Sequence, residues 1–403
     1  MDTSTEGDYN PRMVKSFRLG VLPGDYIGPE IIAQALKVLG AVEKRFDLSI
    51  ECVHLEASGE AFDKYGEHLP AATVATARTC DALLKGPFGG PPEELHHPKW
   101  SGVEENAILG LRKHLGLYAN LRPIRVFKPL LGLSPLRAKV LKGADFVIVR
   151  ELVSGIYFGD KGYDRNAPVG QREAFDTETY REPEIVRIAR TAFELARTRR
   201  RRVTLVGKSN VMRSSVLWRD VVGELASSEY ADIELDYMHV DNASMQLILK
   251  PSHFDVMLTS NLFGDILSDE ASAITGSIGL LPSASIAEGF SEPTASEHRR
   301  AARPEEPSER GGEPAGKFGL YEPIHGSAPS IAGRDIANPL SAILCLPLML
   351  RHSFGLTEEA DSIDRAVDAF FAAGHRTADL GASEPIGTSR VGDLIAEAVL
   401  EAP

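Results

Sequence analysis

Two aspartates four residues apart, Asp265 and Asp269, stand in the apolar stretch NLFGDILSDEASAITGSIGLLPSAS, with Glu270 beside them. Helical spacing puts both carboxylates on one face. No Lys or Arg occurs between Pro251 and His298, so their repulsion has no remedy close in the chain. A single Asp here is explained by the favourable field at a helix start. Two of them amid Ile266, Leu267, Leu280 and Leu281 need a protonated acid, an Arg from elsewhere or a metal. Asp241, in MHVDNASMQL, also follows a strand-like segment and would complete an oxygen-rich set suited to Mg2+ or Mn2+.

Arginines could supply the opposite half of such a site. Arg112 lies in AILGLRKHLG, Arg122 in YANLRPIRVF and Arg150 at the end of the apolar run DFVIVRE. Planar guanidinium groups bind carboxylates two bonds at a time, so three converging arginines beside a divalent metal describe a pocket for a dicarboxylate. Tyr157 in SGIYFGDKG and Lys208 in VGKSN are the remaining candidates for proton transfer. Alone, such a Tyr packs and such a Lys is solvated; only a pattern joining them to the acids gives them a role.

The elements that must position these residues read as a layered α/β architecture. Short apolar runs ending in Gly, Pro or a charge (RLGVLPGD, DALLKGP, DFVIVRE, VTLVGKSN, FDVMLTSN) alternate with longer helix-like patterns. PEIIAQALKVLGAVEKRF reads as a helix with Pro at its first turn, and EENAILGLRKHLG as another. The acids and Arg150 then fall at the carboxyl ends of strands, where open α/β sheets collect ligands. GKS at 207–209 resembles the end of a phosphate loop, but Arg202 stands where its first Gly is required, and no GxGxxG occurs anywhere. Any dinucleotide is bound another way.

With 403 residues, 43% of them hydrophobic, the chain is long enough for two substantial cores. A net charge of −13 argues against nucleic-acid and anionic-membrane partners. The basic run Arg197, Arg199, Arg200, Arg201, Arg202 follows an amphipathic pattern and is expected to be a solvated helix end. Cys52, Cys80 and Cys345 lie in apolar settings without metal-ligand spacing and are expected to be buried, reduced thiols. The first residues carry no apolar core of a signal peptide, and IANPLSAILCLPLML is short and broken by Pro339 and Pro347, so a cytoplasmic location is expected. The segment 291–317, rich in Pro, Glu and Arg, is expected to be a mobile surface loop.

Ordered segments from Phe17 to the end carry a resemblance: LPGDYIGPEI, GLRKHLGLYANLRP, VIVRELVSGIYFG, VGKSNVM, YMHVDNASMQL, SNLFGDILSDEAS, GSIGLLPSAS and EPIHGSAPSIAGRDIANP. Together they resemble the isocitrate/isopropylmalate family of β-decarboxylating dehydrogenases, and within it the members acting on 3-isopropylmalate. The resemblance implies an α/β fold of that type rather than the standard Rossmann arrangement. Residues 1–117 and 276–403 would form a large cofactor-binding domain, and 118–275 a small domain carrying the contact of a homodimer with shared active sites. It implies a divalent metal on Asp265 and Asp269, joined by Asp241 from the partner subunit. Arg112, Arg122 and Arg150 would grip the malate carboxylates, with Asp241 also beside the substrate. Tyr157 and a partner-subunit Lys208 would be the acid/base pair. NAD would lie along His325, Gly326, Ser327, Ala328, Ser330 and Ile331, with Asn338 near the adenine. Glu105, Ile108 and Leu109 would face the 3-substituent. Two apolar side chains there suit an isopropyl group and leave the extra polar group of isocitrate, homoisocitrate or tartrate unpaired.

The implied activity is NAD-dependent oxidation and decarboxylation of 3-isopropylmalate to 4-methyl-2-oxopentanoate, a step of leucine biosynthesis. The alternatives are the same reaction on another 3-substituted malate and a non-catalytic regulatory subunit, which should lack metal ligands or the catalytic pair. The sequence departs from the family pattern in three places. Ser330 stands where NAD-using members commonly carry Asp, though Ser330 and Ile331 offer no cation for a 2'-phosphate. Gly207 replaces an Asp often found before the catalytic Lys, and the 291–317 segment is much longer than the usual connection, as a lid over the dinucleotide or a neutral insertion.

Overall fold

The structure, a computed structural model, describes residues 15–287 and 316–401. The amino-terminal segment and, but for its last two residues, the expected 291–317 loop lie outside the described residues.

The apolar runs are strands. They are β1 (Ser16–Leu22), β2 (Ser49–His54), β3 (Ala82–Lys85), β4 (Leu117–Arg125), β5 (Asp145–Glu151) and the short β6 (Lys161–Tyr163) and β7 (Ala174–Asp176). Then follow β8 (Arg202–Gly207), β9 (Glu234–His239), β10 (Val256–Thr259), β11 (Pro282–Ala287) and β12 (Gly319–Pro323). Among the described residues ten of them form one sheet in the order β2-β1-β3-β12-β11-β4-β5-β10-β8-β9, and β6 pairs with β7 in a separate ribbon. Every residue of β3, β10, β11 and β12 is buried, as expected of interior strands covered on both faces.

Direction reverses in the middle of the sheet. β2, β1, β3 and β12 are parallel neighbours, as are β5, β10, β8 and β9, while β11 and β4 pair antiparallel with each other and with the strands flanking them. The first set comes from the segments before 117 and after 276, and the second from 118–275. On one half the helix Gly28–Phe46 packs on the helices Leu340–His352 and Thr388–Glu401; on the other Glu182–Arg197 packs on Arg213–Glu229. Pro339 precedes Leu340–His352, and Pro347 is accommodated inside it, where almost every residue is buried. Among the described residues no helix is long and apolar enough to cross a membrane.

Two expectations are corrected. The basic run does begin at a helix end, and Arg197, Arg200 and Arg201 are exposed, but it is more than solvated. Asp255, 1% exposed, accepts Arg199 Nε at 2.9 Å and the backbone N–H of Arg200 at 2.9 Å, while Arg199 also pairs with Asp145 at 2.8 Å and Arg202 with Glu234 at 2.5 Å. The run is thereby tied to the amino ends of β5, β8 and β9 instead of forming a free cationic surface. Cys52 is exposed, because β2 is the sheet's edge strand; Cys80 and Cys345 are buried.

The loops after β1 and β3 meet backbone to backbone. Asp25 N donates to Pro87 O at 2.8 Å, and a Cβ on Gly86 would stand 1.9 Å from Pro23 O. Gly86→Ala is therefore expected to destabilise the protein by about 1–3 kcal/mol, read as a lower urea midpoint. Gly40→Ala, in a helix interior with nothing within 4 Å of the new Cβ, should instead be stabilising by up to about 1 kcal/mol.

Candidate active site

Asp265 and Asp269 lie one turn apart on the helix Asn261–Thr275, which begins directly after β10. Their compensating charge comes from two arginines on neighbouring strands. Arg150, at the end of β5, pairs through NH1 with Asp265 Oδ1. Arg122, on β4, reaches Asp265 Oδ1 at 3.8 Å and Asp269 Oδ1 at 3.2 Å. Burial by itself would raise the Asp265 carboxyl, but Arg150, the Tyr157 hydroxyl and Arg122 outweigh it and hold it below the usual carboxylate range. Burial in turn pulls Arg150 down to about 10, so it stays charged at neutral pH. Gly264 leaves room for the arginine stem: a Cβ there would lie 2.6 Å from Arg150 Cγ.

Arg112, on the short helix Gly110–His114, joins the same group through a residue the sequence reading missed. Its NH2 is 3.6 Å from Glu322 Oε1, and Glu322 Oε2 is 2.5 Å from Lys85 Nζ. Burial pushes the Glu322 carboxyl up, yet Lys85, Arg112 and Arg122 together hold it down and ionised. Lys85, only 2% exposed, also lies 4.2 Å over the Phe88 ring. The signal that singled out Arg150, a charge ending an apolar strand, was equally present at Lys85 in DALLKGP.

Tyr157 ends the short 3-10 turn Gly155–Tyr157 and donates its hydroxyl to Asp265 Oδ2 at 2.6 Å. Burial, then that bond and the Asp265 charge, push the phenol up to about 12, so it keeps its proton. Two further residues shape this turn. Glu151, fully buried, accepts the backbone N–H of Val153 at 3.0 Å and of Ser154 at 2.9 Å. Asn261 links the Ser154 carbonyl to Arg150. Neither was singled out from sequence.

Lys208 and Asp241 follow β8 and β9 and bind each other at 2.6 Å; that bond chiefly holds Asp241 below the usual range. Among the described residues no hydrogen bond or ion pair joins this pair to the Arg150 cluster within the chain. Gly207 has little room for a larger side chain, since a Cβ would lie 3.3 Å from the Tyr237 hydroxyl, which accepts the Ser209 N–H at 2.9 Å.

The segment expected as one α-helix before Arg112 is a π-helix over Glu104–Leu109 that turns α only at Gly110. Its wider turn changes which side chains share a face. Glu105 is exposed, Leu109 partly buried, and Ile108 packs against the apolar cluster of Phe88, Val103, Ala107 and Leu111.

The 325–331 segment leaves β12 and is anchored from several sides. His325 Nε2 is 2.9 Å from Ser341 Oγ, and burial lowers its pKa. Ser327 donates its hydroxyl to Gly89 O at 2.7 Å and its carbonyl accepts Ile27 N–H at 3.1 Å. Ala328 takes a left-handed φ of 42°, turning the chain into Pro329–Ile331. Gly326 and Ser330 are exposed, Ile331 packs on the core, and Asn338 donates to Asp379 at 3.0 Å. The buried Asp25 fastens the surrounding loops by accepting Ser58 Oγ at 2.6 Å and Gly89 N at 2.8 Å. Exposed Gly326 and Ser330 beside these fixed loops make a surface on which a dinucleotide could lie.

Comparison with known proteins gives concordant results. The family model described as isocitrate/isopropylmalate dehydrogenase matches residues 18–395. A protein of Pectobacterium atrosepticum named 3-isopropylmalate dehydrogenase is 50% identical over 96% of this chain and 99% of its own. One of the same name from Escherichia coli K12 is 48% identical over the same shares. Among solved structures, isocitrate dehydrogenase from Methylococcus capsulatus superposes with a TM-score of 0.77 at 32% identity, covering 96% of this chain and 100% of that one. A β-decarboxylating dehydrogenase from Thermococcus kodakarensis gives 0.73 at 33%, covering 95% and 96%.

Burial raises the Glu151 carboxyl from 4.5 to about 7, more than its two backbone bonds lower it. A raised folded-state value means its contribution to stability is complete below about 4.5 and is lost as pH rises through about 7. The difference in Tm between wild type and Glu151→Gln should therefore shrink between about pH 5 and 7.5, to the wild type's disadvantage. Thermal unfolding across that range checks it; a difference independent of pH would show that Glu151 does not titrate there.

Proposed function

The chain belongs to the isocitrate/isopropylmalate dehydrogenase family, and from that premise we propose that it converts 3-isopropylmalate to 4-methyl-2-oxopentanoate with NAD and a divalent metal, a step of leucine biosynthesis. The observation that carries this reading is the convergence of Arg112, Arg122 and Arg150 around the Asp265–Asp269 turn, with Tyr157 bonded to Asp265. Three guanidiniums suit a dicarboxylate. Two ionised oxygen donors a helical turn apart suit Mg2+ or Mn2+, and Asp241 of the partner subunit would be the third.

Each residue then has a defined task. Arg112, Arg122 and Arg150 hold the two carboxylates and so fix which carbon faces the cofactor. The 325–331 segment, with Asn338 near the adenine, would hold NAD, which would supply the hydride acceptor for carbon 2. The hydroxyl proton passes to Lys208 of the partner subunit, through Asp241 or a water. Asp265, Asp269 and Asp241 of the partner subunit would hold the metal, which would supply Lewis-acid stabilisation of developing negative charge on a substrate oxygen. Tyr157, protonated at neutral pH, gives the final proton to carbon 3.

A homodimer is part of this reading. Met245, Ile248 and Leu249 on the helix Val240–Leu249 and Ile266 beside Asp265 are exposed apolar side chains on adjacent helices. A second copy covering them would carry its Lys208–Asp241 pair toward this chain's arginines. The reversal of strand direction near β4 and β11 favours domain boundaries near 117 and 275, with the cleft between them as the site. Partly buried Ile108 and Leu109 favour an alkyl 3-substituent. Ser330 and Ile331 offer neither a carboxylate nor a cation to the adenosine ribose, so the preference for NAD over NADP should be modest.

The test is NADH formation by the purified protein with 3-isopropylmalate and Mg2+, beside 3-methylmalate, homoisocitrate, isocitrate and tartrate, each repeated with NADP. Preference for 3-isopropylmalate is expected. Turnover of another malate alone would replace the substrate, and silence on all of them would favour the regulatory alternative. Tyr157→Phe should lower kcat by about 10²–10⁴-fold, the usual scale of a general acid, with little change in KM.

A further inference from the structure

We infer that Asn261 is a positioning residue that orients the guanidinium of Arg150 for a substrate carboxylate and, as a neutral amide, leaves its charge available. The inference rests on the proposed role of Arg150. Both side chains are sealed from water, Asn261 being 1% exposed and Arg150 2%. Asn261 Oδ1 accepts Arg150 Nε at 3.1 Å and NH2 at 2.8 Å, so one edge of the fork is fully engaged. The other edge, NH1, pairs with Asp265, whose side chain is partly exposed.

The amide cannot turn over. Its Nδ2 donates to Ser154 O at 3.0 Å, and reversing it would set two donors against Arg150 and an oxygen against a carbonyl. Its backbone N–H donates to the Tyr180 hydroxyl at 2.8 Å, fixing the start of the helix that carries Asp265. A single residue thus sets the plane of Arg150 and is joined, through Ser154, to the turn that presents Tyr157.

The choice of an amide separates orientation from charge. An Asp at 261 would keep the one acceptor oxygen that takes the Arg150 fork and form a stronger, paired bond with it, while losing the donor to Ser154 O. It would also cancel the positive charge that a substrate carboxylate needs. A merely structural role predicts that Asn261→Asp and Asn261→Ala, which both lose the Ser154 bond, lose thermal stability and leave the malate KM of the folded protein unchanged.

Asn261→Asp and Asn261→Ala are compared with wild type for kcat and for KM toward 3-isopropylmalate and NAD, with thermal unfolding in parallel. Asn261→Asp should raise KM for the malate by about 10- to 100-fold, the scale of one hydrogen bond to a charged group, and change KM for NAD by less than about twofold. An unchanged malate KM in the folded Asp variant overturns the inference. A second readout does not need turnover: exchange of the Arg150 Nε–H with solvent, followed by 15N NMR. Slow exchange in wild type that accelerates in Asn261→Ala supports the clamp even if no malate is turned over, an outcome that would sink only the proposed activity. Fast exchange in wild type overturns the clamp itself, whether or not the variants fold.

Discussion

Charge balance away from water is the constraint around which this site is built. Lys85, Arg112, Arg122 and Arg150 share a small volume with Glu322, Asp265 and Asp269, and most of these side chains have little access to solvent. An isolated ion there would shift its pKa or lose its charge. Each has an opposite charge within 4 Å, which offsets the cost of its burial. The sheet order follows from the need: β3, β12, β4 and β5 contribute Lys85, Glu322, Arg122 and Arg150, with β11 supplying small serines between them. Strands about 4.8 Å apart bring long charged side chains on neighbouring strands within reach of one another. The antiparallel pair β11 and β4 is what brings the two parallel sets together along that row.

The balance also accounts for which residues stand apart. Lys208 and Asp241 neutralise each other and need nothing from the arginine cluster in this chain. Their exposure is tolerable because each is the other's partner, and the apolar side chains nearby give a second copy something to bury. On the proposed reading, a shared site would be built from two halves whose charges are already paired within each chain.

Sequence revealed those parts of the arrangement whose cause is local. The interior strands were legible because long apolar runs ended in turn residues or charges, and Asp265 with Asp269 stood out because helical spacing is short-range. Glu322 and Lys85 lie more than two hundred residues apart, and each looks ordinary until β12 is laid beside β3. Asn261 looked like any residue opening a helix, since its two Arg150 bonds cross 111 positions. The π-helix over Glu104–Leu109 has no distinctive composition, so the segment reads from sequence as an ordinary helix. The ion pairs that tie part of the arginine run were hidden because Asp255, which gathers Arg199 and Arg200, lies more than fifty positions away. Cys52 was misjudged because an edge strand and an interior strand can share an apolar pattern over a few residues.

Pairing of the site's charges among themselves has a consequence for how its proposed ligands must enter. A divalent cation alone would draw Asp265 and Asp269 away from Arg122 and Arg150, leaving buried guanidiniums uncompensated. A dicarboxylate alone would take the arginines and leave the aspartates facing its own charge. The two together carry no net charge, and can replace the internal pairs one for one: cation against aspartates, carboxylates against arginines. Each therefore lowers the electrostatic cost of binding the other, and by linkage the coupling is reciprocal. A monocarboxylate satisfies only half of the exchange. On the proposed reading, selection for a metal-bound dianion would arise from the resting charge pattern itself, before any contact with the 3-substituent, and Ile108 and Leu109 would choose only among malates that meet that condition.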